Sequence, residues 1–403
     1  MNTTHTLPSG STAAPPRPLS AARFRLLAFC VGAVVANIYY AQPVVDAIAR
    51  SFGLSIAAAT NIVSLTQMGY ALGLFLIVPL GDLLESRRLI VISVLASSAA
   101  LAIAASSSTP GLFLAGCLLI GLSSVSVQVM VPLAAHYAPP AERGRVVGNI
   151  MSGLVAGILL ARPLSSLVVD HFGWRAIFWT ASALMLCVAV LIGRFVPSRQ
   201  PRSAVGYDAL IASLVRLLKE TPVLRRRALY QASLFAAFSM FWTTIPIELV
   251  HKHGFSQSQV ALFTLIGATG TLAGPFGGRL ADAGRARFAT LLSLGGAGLS
   301  LLALAAPSLT GSVLVIGLVA VAFDFCVQMN MVVGQRAIFQ LAEEHRSRLN
   351  ALYTTSIFIG GAVGSSVGGS LYATGGLGTA ALAGGVLALL IGVLAFVIEP
   401  SRD

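Results

Sequence analysis

Apolar stretches about 20 residues long, the length a helix needs to cross about 30 Å of hydrocarbon, recur along this chain between short polar breaks. Twelve runs reach that length. They lie near residues 25–46, 58–80, 89–107, 111–135, 147–169, 176–196, 229–250, 258–281, 288–306, 312–335, 350–372 and 379–398. The longest polar gap, 197–228, divides them six and six. Within it an amphipathic stretch from Leu210 to Leu218 precedes the basic triplet Arg225, Arg226 and Arg227, the pattern of a helix lying on a membrane surface. The expected fold class is an all-α membrane protein of twelve transmembrane helices in two six-helix bundles. The expected boundaries are a tail at 1–22, bundles at 23–196 and 229–398, a linker at 197–228 and a short terminus at 399–403. Residues 1–22, rich in Ser, Thr, Pro and Ala, read as a disordered cytoplasmic tail and not as a signal peptide.

Composition agrees with lipid as the main solvent: 56% of residues are hydrophobic and 10% charged, against roughly 25% charged in soluble domains. The net charge of +12 could suggest a nucleic-acid partner, but its distribution excludes one. With the N-terminus in the cytoplasm, 22 Lys and Arg fall on the cytoplasmic side and three (Arg50, Arg175, Lys252) on the other, with Arg162 left inside the fifth run. That asymmetry is what membrane insertion demands, and it sets basic loops against anionic lipid headgroups. The orientation fits a multi-pass protein of a bacterial inner membrane with both termini cytoplasmic. Cys30, Cys117, Cys187 and Cys326 all lie in apolar runs without metal-ligand spacing, so no metal site is expected. No phosphate-binding loop and no HExxH or GxSxG cluster is present, so neither ATP, another cofactor nor an enzymatic activity is expected.

The two halves repeat one another. At an offset of 200, Leu80-Gly81-Asp82 matches Leu280-Ala281-Asp282; at 203, Arg143-Gly144-Arg145 matches Arg346-Ser347-Arg348, Gly157 matches Gly360 and Gly173 matches Gly376. Six-span halves repeated in parallel are a transporter plan, and the bundles are expected to be pseudo-symmetric. Small-residue ladders, Gly153/Gly157/Ala161/Ser165, Gly270/Gly274/Gly278 and Gly360/Gly364/Gly368, predict close helix packing, here expected along the seams between halves.

Ionisable groups at bilayer depth are costly and point to function. Among fourteen acids only Asp324 sits centrally in a run, with Gln328 one turn on. A carboxyl that gains and loses a proton there makes Asp324 the candidate proton-coupling residue. Arg162 is the one basic residue inside a run, expected nearer the outer side. Asn37, Tyr40 and, a turn or so on, Asp46 share roughly one side of the first run as a polar stripe that Tyr39 and Gln42 extend, and Pro43 can kink it. Gln67, Tyr70, Gln128 and Trp242 can join the same cavity. Such amide and aromatic groups suit a planar or hydroxylated organic ligand.

The loops resemble the major facilitator superfamily. Gly278-Arg-Leu-Ala-Asp282-Ala-Gly284-Arg285 is similar to its signature G-x-L-A-D-R-x-G-R, one residue short, and Pro79-Leu-Gly-Asp82-Leu-Leu-Glu85-Ser-Arg87-Arg88 is a second copy with Glu85 in place of Gly. The resemblance spans residues 24–398 and implies a gating latch: Asp82 beside the start of the eleventh run and Arg348, and Asp282 beside the fifth run and Arg145, with Arg87, Arg88 and Arg285 in the same loops. A narrower resemblance, to drug/metabolite proton antiporters including purine-ribonucleoside efflux pumps, rests on Asn37-Ile-Tyr39-Tyr40-Ala-Gln42-Pro43, Pro79-Leu-Gly-Asp82 and Gly157-Ile-Leu-Leu-Ala-Arg162. The motif G-x-x-x-G-P is matched at Gly153 and Gly157, but Ile158 stands where its proline belongs. The R-x-x-x-G pattern is replaced by Cys117-Leu-Leu-Ile-Gly121. This resemblance implies a monomeric secondary transporter exporting small molecules against inward proton flow. Proton-linked uptake and uncoupled facilitation are the alternatives on the same fold; a channel fits an internally duplicated chain less well.

Overall fold

The computed structural model describes residues 19–200, 206–306, 309, 311–341 and 345–399. The expected tail falls mostly outside them, as do residues 400–403. Among the described residues the chain is helical and has no strand, as lipid requires of a chain that must satisfy its own backbone hydrogen bonds.

Among the described residues nine helices are long and apolar enough to cross a membrane. Spans 2 to 7 are Ile56–Asp82, Ser86–Ser106, Pro110–Tyr137, Arg143–Phe172, Trp174–Phe195 and Pro222–His251. Spans 9 and 10 are Ala286–Ala303 and Val313–Phe339. The ninth helix, Arg346–Ile398, is broken at Gly376 and supplies spans 11 and 12. Two further crossings are interrupted. Span 1 runs Ala21–Ala36, unwinds, and resumes through Gln42–Val44 into Val45–Phe52. Span 8 is Gln257–Thr264, a tighter 3-10 stretch Leu265–Leu272, and Ala273–Asp282. Pro43 explains the first break, because it lacks an N–H and its ring crowds the preceding turn. Twelve crossings result, each overlapping its predicted run. A surface helix, Tyr207–Glu220, occupies the linker and buries Leu210 and Leu214.

The duplication is visible in backbone geometry. Gly53 and Gly254 both have φ of 65°, each just before the serine (Ser55, Ser256) that caps the next span. Gly173 and Gly376, paired by the sequence offset, have φ of 80° and 69° and turn span 5 into 6 and span 11 into 12. Only glycine adopts that left-handed region without cost, so the same corners recur in both halves.

The linker helix defines one face of the bundle. Tyr207 Oη donates to the Leu76 carbonyl at 2.8 Å, and the Ser86 amide donates to the Arg199 carbonyl at 2.9 Å. The last turn of span 12 lies on this face too: Arg227 pairs with Glu399, and Arg226 donates to the Ile398 carbonyl at 3.0 Å. Lipid-sized apolar side chains such as Ile92, Val190, Leu299, Leu318 and Leu390 point outward, the exterior a membrane-embedded chain needs.

The glycine ladders pack within halves, which corrects the expectation that they line the seams. A Cβ on Gly157 would meet the Gly32 carbonyl at 2.2 Å (span 5 on span 1), and one on Gly364 the Ala236 carbonyl at 2.0 Å (span 11 on span 7). The seam between halves uses the neighbouring positions. Gly361 lies against Gln67 and Gly369 against Thr60 of span 2.

Candidate functional site

The two interrupted spans converge on the middle of the seam. Span 1 unwinds over 37–41, turning the Tyr39 and Gln42 side chains inward; both are buried. Span 8 tightens where Gly267 and Gly270 lie directly against Asp324: a Cβ on Gly267 would be 2.9 Å from Asp324 Oδ2, and one on Gly270 2.8 Å from Asp324 Cβ. Glycine lets the helix approach the carboxylate, and any larger residue would expel it.

Asp324 is 5% exposed, and its Oδ1 accepts a hydrogen bond from Trp242 Nε1 at 2.9 Å. Arg162, also 5% exposed, lies over the ring of the same indole, its guanidinium carbon 5.0 Å from the ring centroid. Tyr39 and Phe238 complete the box around the guanidinium at 5.3 and 5.5 Å. Its Nε donates to Gln42 Oε1 at 3.0 Å. The chain of polar contacts then crosses to the other half: Gln42 Nε2 reaches Thr243 Oγ1 at 3.5 Å, Thr243 meets Ser365 at 3.1 Å, and Ser365 donates to the Thr60 carbonyl at 3.1 Å. Arg162 is therefore enclosed within the seam, held by Gln42 where span 1 resumes after its break.

The other predicted cavity residues separate. Tyr40 is buried, and its carbonyl accepts from Ser165 at 2.6 Å, a packing contact. Asn37 donates to Met185 Sδ at 3.2 Å inside its own half. Gln67 joins Ser239 across the seam at 3.0 Å. Gln128 and Tyr70 form a pair at 3.5 Å nearer the linker face, where Tyr70 packs on Phe358 with ring centroids 4.5 Å apart. Gln328 is half-buried one turn from Asp324. Phe238, Thr243 and Ser365 were missed from sequence. Phe238 alone had a signal, its spacing of four from Trp242.

The gating residues are arranged differently from expectation. Asp282 pairs with Arg336 of span 10 in its own half, and Arg145 pairs with Glu142 at 2.8 Å one turn away. The anticipated Asp282–Arg145 contact is not made, because Arg336 lies closer, beside Gly278. Asp82 and Arg348 line one cleft with Leu210 and Leu214, but Arg348 donates to Ser213 of the linker helix at 3.3 Å. Arg348 is thus engaged by the linker helix. Arg87 reaches Glu85 at 3.6 Å; Arg88 and Arg285 are exposed.

The opposite face carries a charged cluster that the sequence placed only at span ends. His251 Nε2 lies 2.7 Å from Asp46 across the seam, and Arg50 pairs with Asp46 at 2.6 Å. Beneath them Glu248 is fully buried, accepting from Tyr372 Oη at 2.7 Å with Lys252 at 3.0 Å. Asp170 and Ser258 add a second bridge between halves. Its signals were the i,i+4 pairs Asp46/Arg50 and Glu248/Lys252.

Among the described residues no group of three or more His, Cys, Asp or Glu could hold a metal. The arrangement found, two repeated bundles with a polar centre between broken helices, is that of a carrier. Comparison with known proteins agrees. The family model described as Major Facilitator Superfamily matches residues 26–329 and 228–403. An uncharacterized transporter, YgaY of Escherichia coli K12, is 40% identical over 377 residues, covering 93% of this chain and 95% of the relative. A probable transporter of Streptomyces coelicolor, SCO4007, is 30% identical over 382 residues, covering 94% and 87%. In fold, the chain is similar to a bacterial homologue of the lysosomal transporter Spinster in an inward-facing, occupied conformation, with a TM-score of 0.76, 16% identity and 94% and 96% coverage. These relatives are transporters and not enzymes, and the chain belongs to the Major Facilitator Superfamily.

Proposed function

We propose that this transporter is a proton-coupled secondary carrier of small organic molecules, with Asp324 as the group that takes up and releases the proton. The observation that carries this reading is the position of Asp324: an enclosed carboxylate at the middle of the seam, bonded to Trp242 and within electrostatic reach of Arg162. A carboxylate is expensive at that depth unless its charge does something. A group that must be charged in one state and neutral in another couples proton movement to the rocking of the halves. The charge asymmetry of the loops supports reading the basic linker face as cytoplasmic, with both termini inside; a bacterial inner membrane and a monomeric carrier belong to the same proposal.

Export in exchange for protons, implied by the narrower resemblance, is the reading for a neutral or cationic substrate. Such a substrate takes turns with the proton at Asp324. One observation favours the second reading, cotransport. The centre also holds a buried cation, Arg162, which an anionic substrate can use.

The test is proton movement in everted membrane vesicles. A pH-sensitive dye is read while nucleosides, sugars, amino acids, cationic drugs and organic acids are added, for wild type and Asp324→Asn. The expected result is a compound that shifts the gradient with wild type and not with the variant. Undiminished proton-driven transport by Asp324→Asn would remove Asp324 from the role.

A further inference from the structure

The centre of the seam holds one buried cation and one buried anion, and the cation is incompletely satisfied. Arg162 is 5% exposed, yet its Nη2 has no hydrogen-bond partner. Nε is spent on Gln42, and three aromatic rings box the rest of the group. Leaving a buried charged donor unpaired costs more than an ordinary hydrogen bond returns, so an acceptor is missing. Asp324 does not fill the place: Oδ1 is held by the Trp242 indole, and Oδ2 is turned against Gly267.

The surroundings specify the acceptor. A guanidinium offers a planar fork that matches a carboxylate. The rings of Tyr39, Phe238 and Trp242 around the guanidinium make its surroundings aromatic, which suits a flat apolar body. We propose that this centre is a receptor for an organic anion with a flat, apolar or aromatic body, its carboxylate docking on Arg162 Nη2, and that the anion is bound together with a proton. The proposal rests on the reading of Asp324 as the proton-carrying group.

The proton follows from charge balance. The empty centre is neutral, with Arg162 positive and Asp324 negative. A docked carboxylate makes the sum negative, and a net charge sealed from water is costly. A proton on Asp324 restores neutrality, so anion and proton bind cooperatively and travel the same way. A cation would have the reverse effect and displace the proton. The charge of the ligand thus sets the sign of coupling, and the unpaired Nη2 of Arg162 favours cotransport over the exchange implied by the resemblance.

The test uses the full chain in lipid nanodiscs and probes that share a ring and differ in charge: benzoate and indole-3-acetate against benzylamine and tryptamine. Calorimetry in buffers of different ionisation enthalpy gives both the affinity and the protons taken up. The carboxylates are expected to bind with proton uptake and the amines not to bind. Arg162→Gln should weaken carboxylate binding by about ten- to a hundredfold, the scale of a hydrogen bond to a charged group. Arg162→Lys should recover part of it, since the charge is kept and the fork lost; melting temperatures confirm that both variants fold. Asp324→Asn should bind carboxylates without taking up protons.

Preference for the amines, carboxylate affinity unchanged in Arg162→Gln, or no carboxylate binding at millimolar concentration would each overturn the receptor. Amine transport coupled to protons and lost in Asp324→Asn would overturn the receptor while leaving the proton-carrying role of Asp324 intact. Carboxylate binding through Arg162 with no proton uptake would overturn the role of Asp324 and the joint binding.

Discussion

The two ends of the seam are closed by different chemistry. On the face opposite the linker, polar and charged groups bridge the halves directly: Asp46 to His251, Asp170 to Ser258, Thr60 to Ser365 and Asn61 to Ser366. Val45, Ala59 and Val63 of the first half also pack into the apolar cluster of the second. On the linker face the charged groups pair locally, Asp282 with Arg336 and Arg145 with Glu142. There the closure is apolar, with Leu349, Leu352, Ile357 and Phe358 of span 11 packed with Leu214 into the core of the first half. Directional bonds hold one geometry and apolar contacts tolerate sliding, so the far face is the locked end and the linker face the one ready to give.

The largest effect should come from Gly369→Ala. Its new methyl would sit 1.9 Å from Thr60 Oγ1, and overpacking of this kind costs about 1–3 kcal/mol. The variant should open the far face, and a cysteine placed at Val63, 2% exposed, should then label with an impermeant maleimide. Unchanged protection would mean that the far face closes elsewhere. Next, Leu214→Ala removes the linker helix's buried anchor at a cost of about 2 kcal/mol. Trypsin should then cut at Arg216 and Lys219 faster while Val63→Cys stays protected. Asp46→Asn should loosen the far face by about 1 kcal/mol, because His251 and Arg50 are 45% and 61% exposed and solvent weakens such pairs; labelling should rise a few-fold. Asp282→Asn should matter least. Its pair with Arg336 is exposed, 68% and 41%, and exposed pairs contribute about 0–1 kcal/mol. A large labelling change there would restore the cross-half latch to Arg145.

The spans were legible because lipid leaves an unambiguous record: a run of about 20 apolar residues has few other uses. The repeat was legible because corners that need positive φ keep their glycines, as at Gly173 and Gly376. Asp324 stood out by being alone. What escaped was contact across the seam. Asp46 read as the end of the polar stripe of span 1 and Glu248 as a charge at a span end, and only the fold reveals that one meets His251 and the other is sealed under Tyr372. The latch partners of Asp82 and Asp282 were assigned by symmetry, whereas an exposed carboxylate pairs with whichever cation lies nearest. That choice depends on Arg336 and on a linker helix that has no counterpart in the repeat. The enclosure of Arg162 also escaped, because a run describes a straight helix and says nothing of the break in span 1 that brings Tyr39 and Gln42 against the guanidinium.

The most direct test of the central claim, that Asp324 carries the proton, separates substrate movement from energy coupling. Proteoliposomes containing wild type or Asp324→Asn are loaded with a transported compound and assayed in two ways, for exchange of labelled compound without a gradient and for accumulation driven by a proton gradient. The account predicts that the variant keeps exchange and loses gradient-driven accumulation. Accumulation retained at the wild-type level would contradict it, and equal loss of both activities would show Asp324 to be structural.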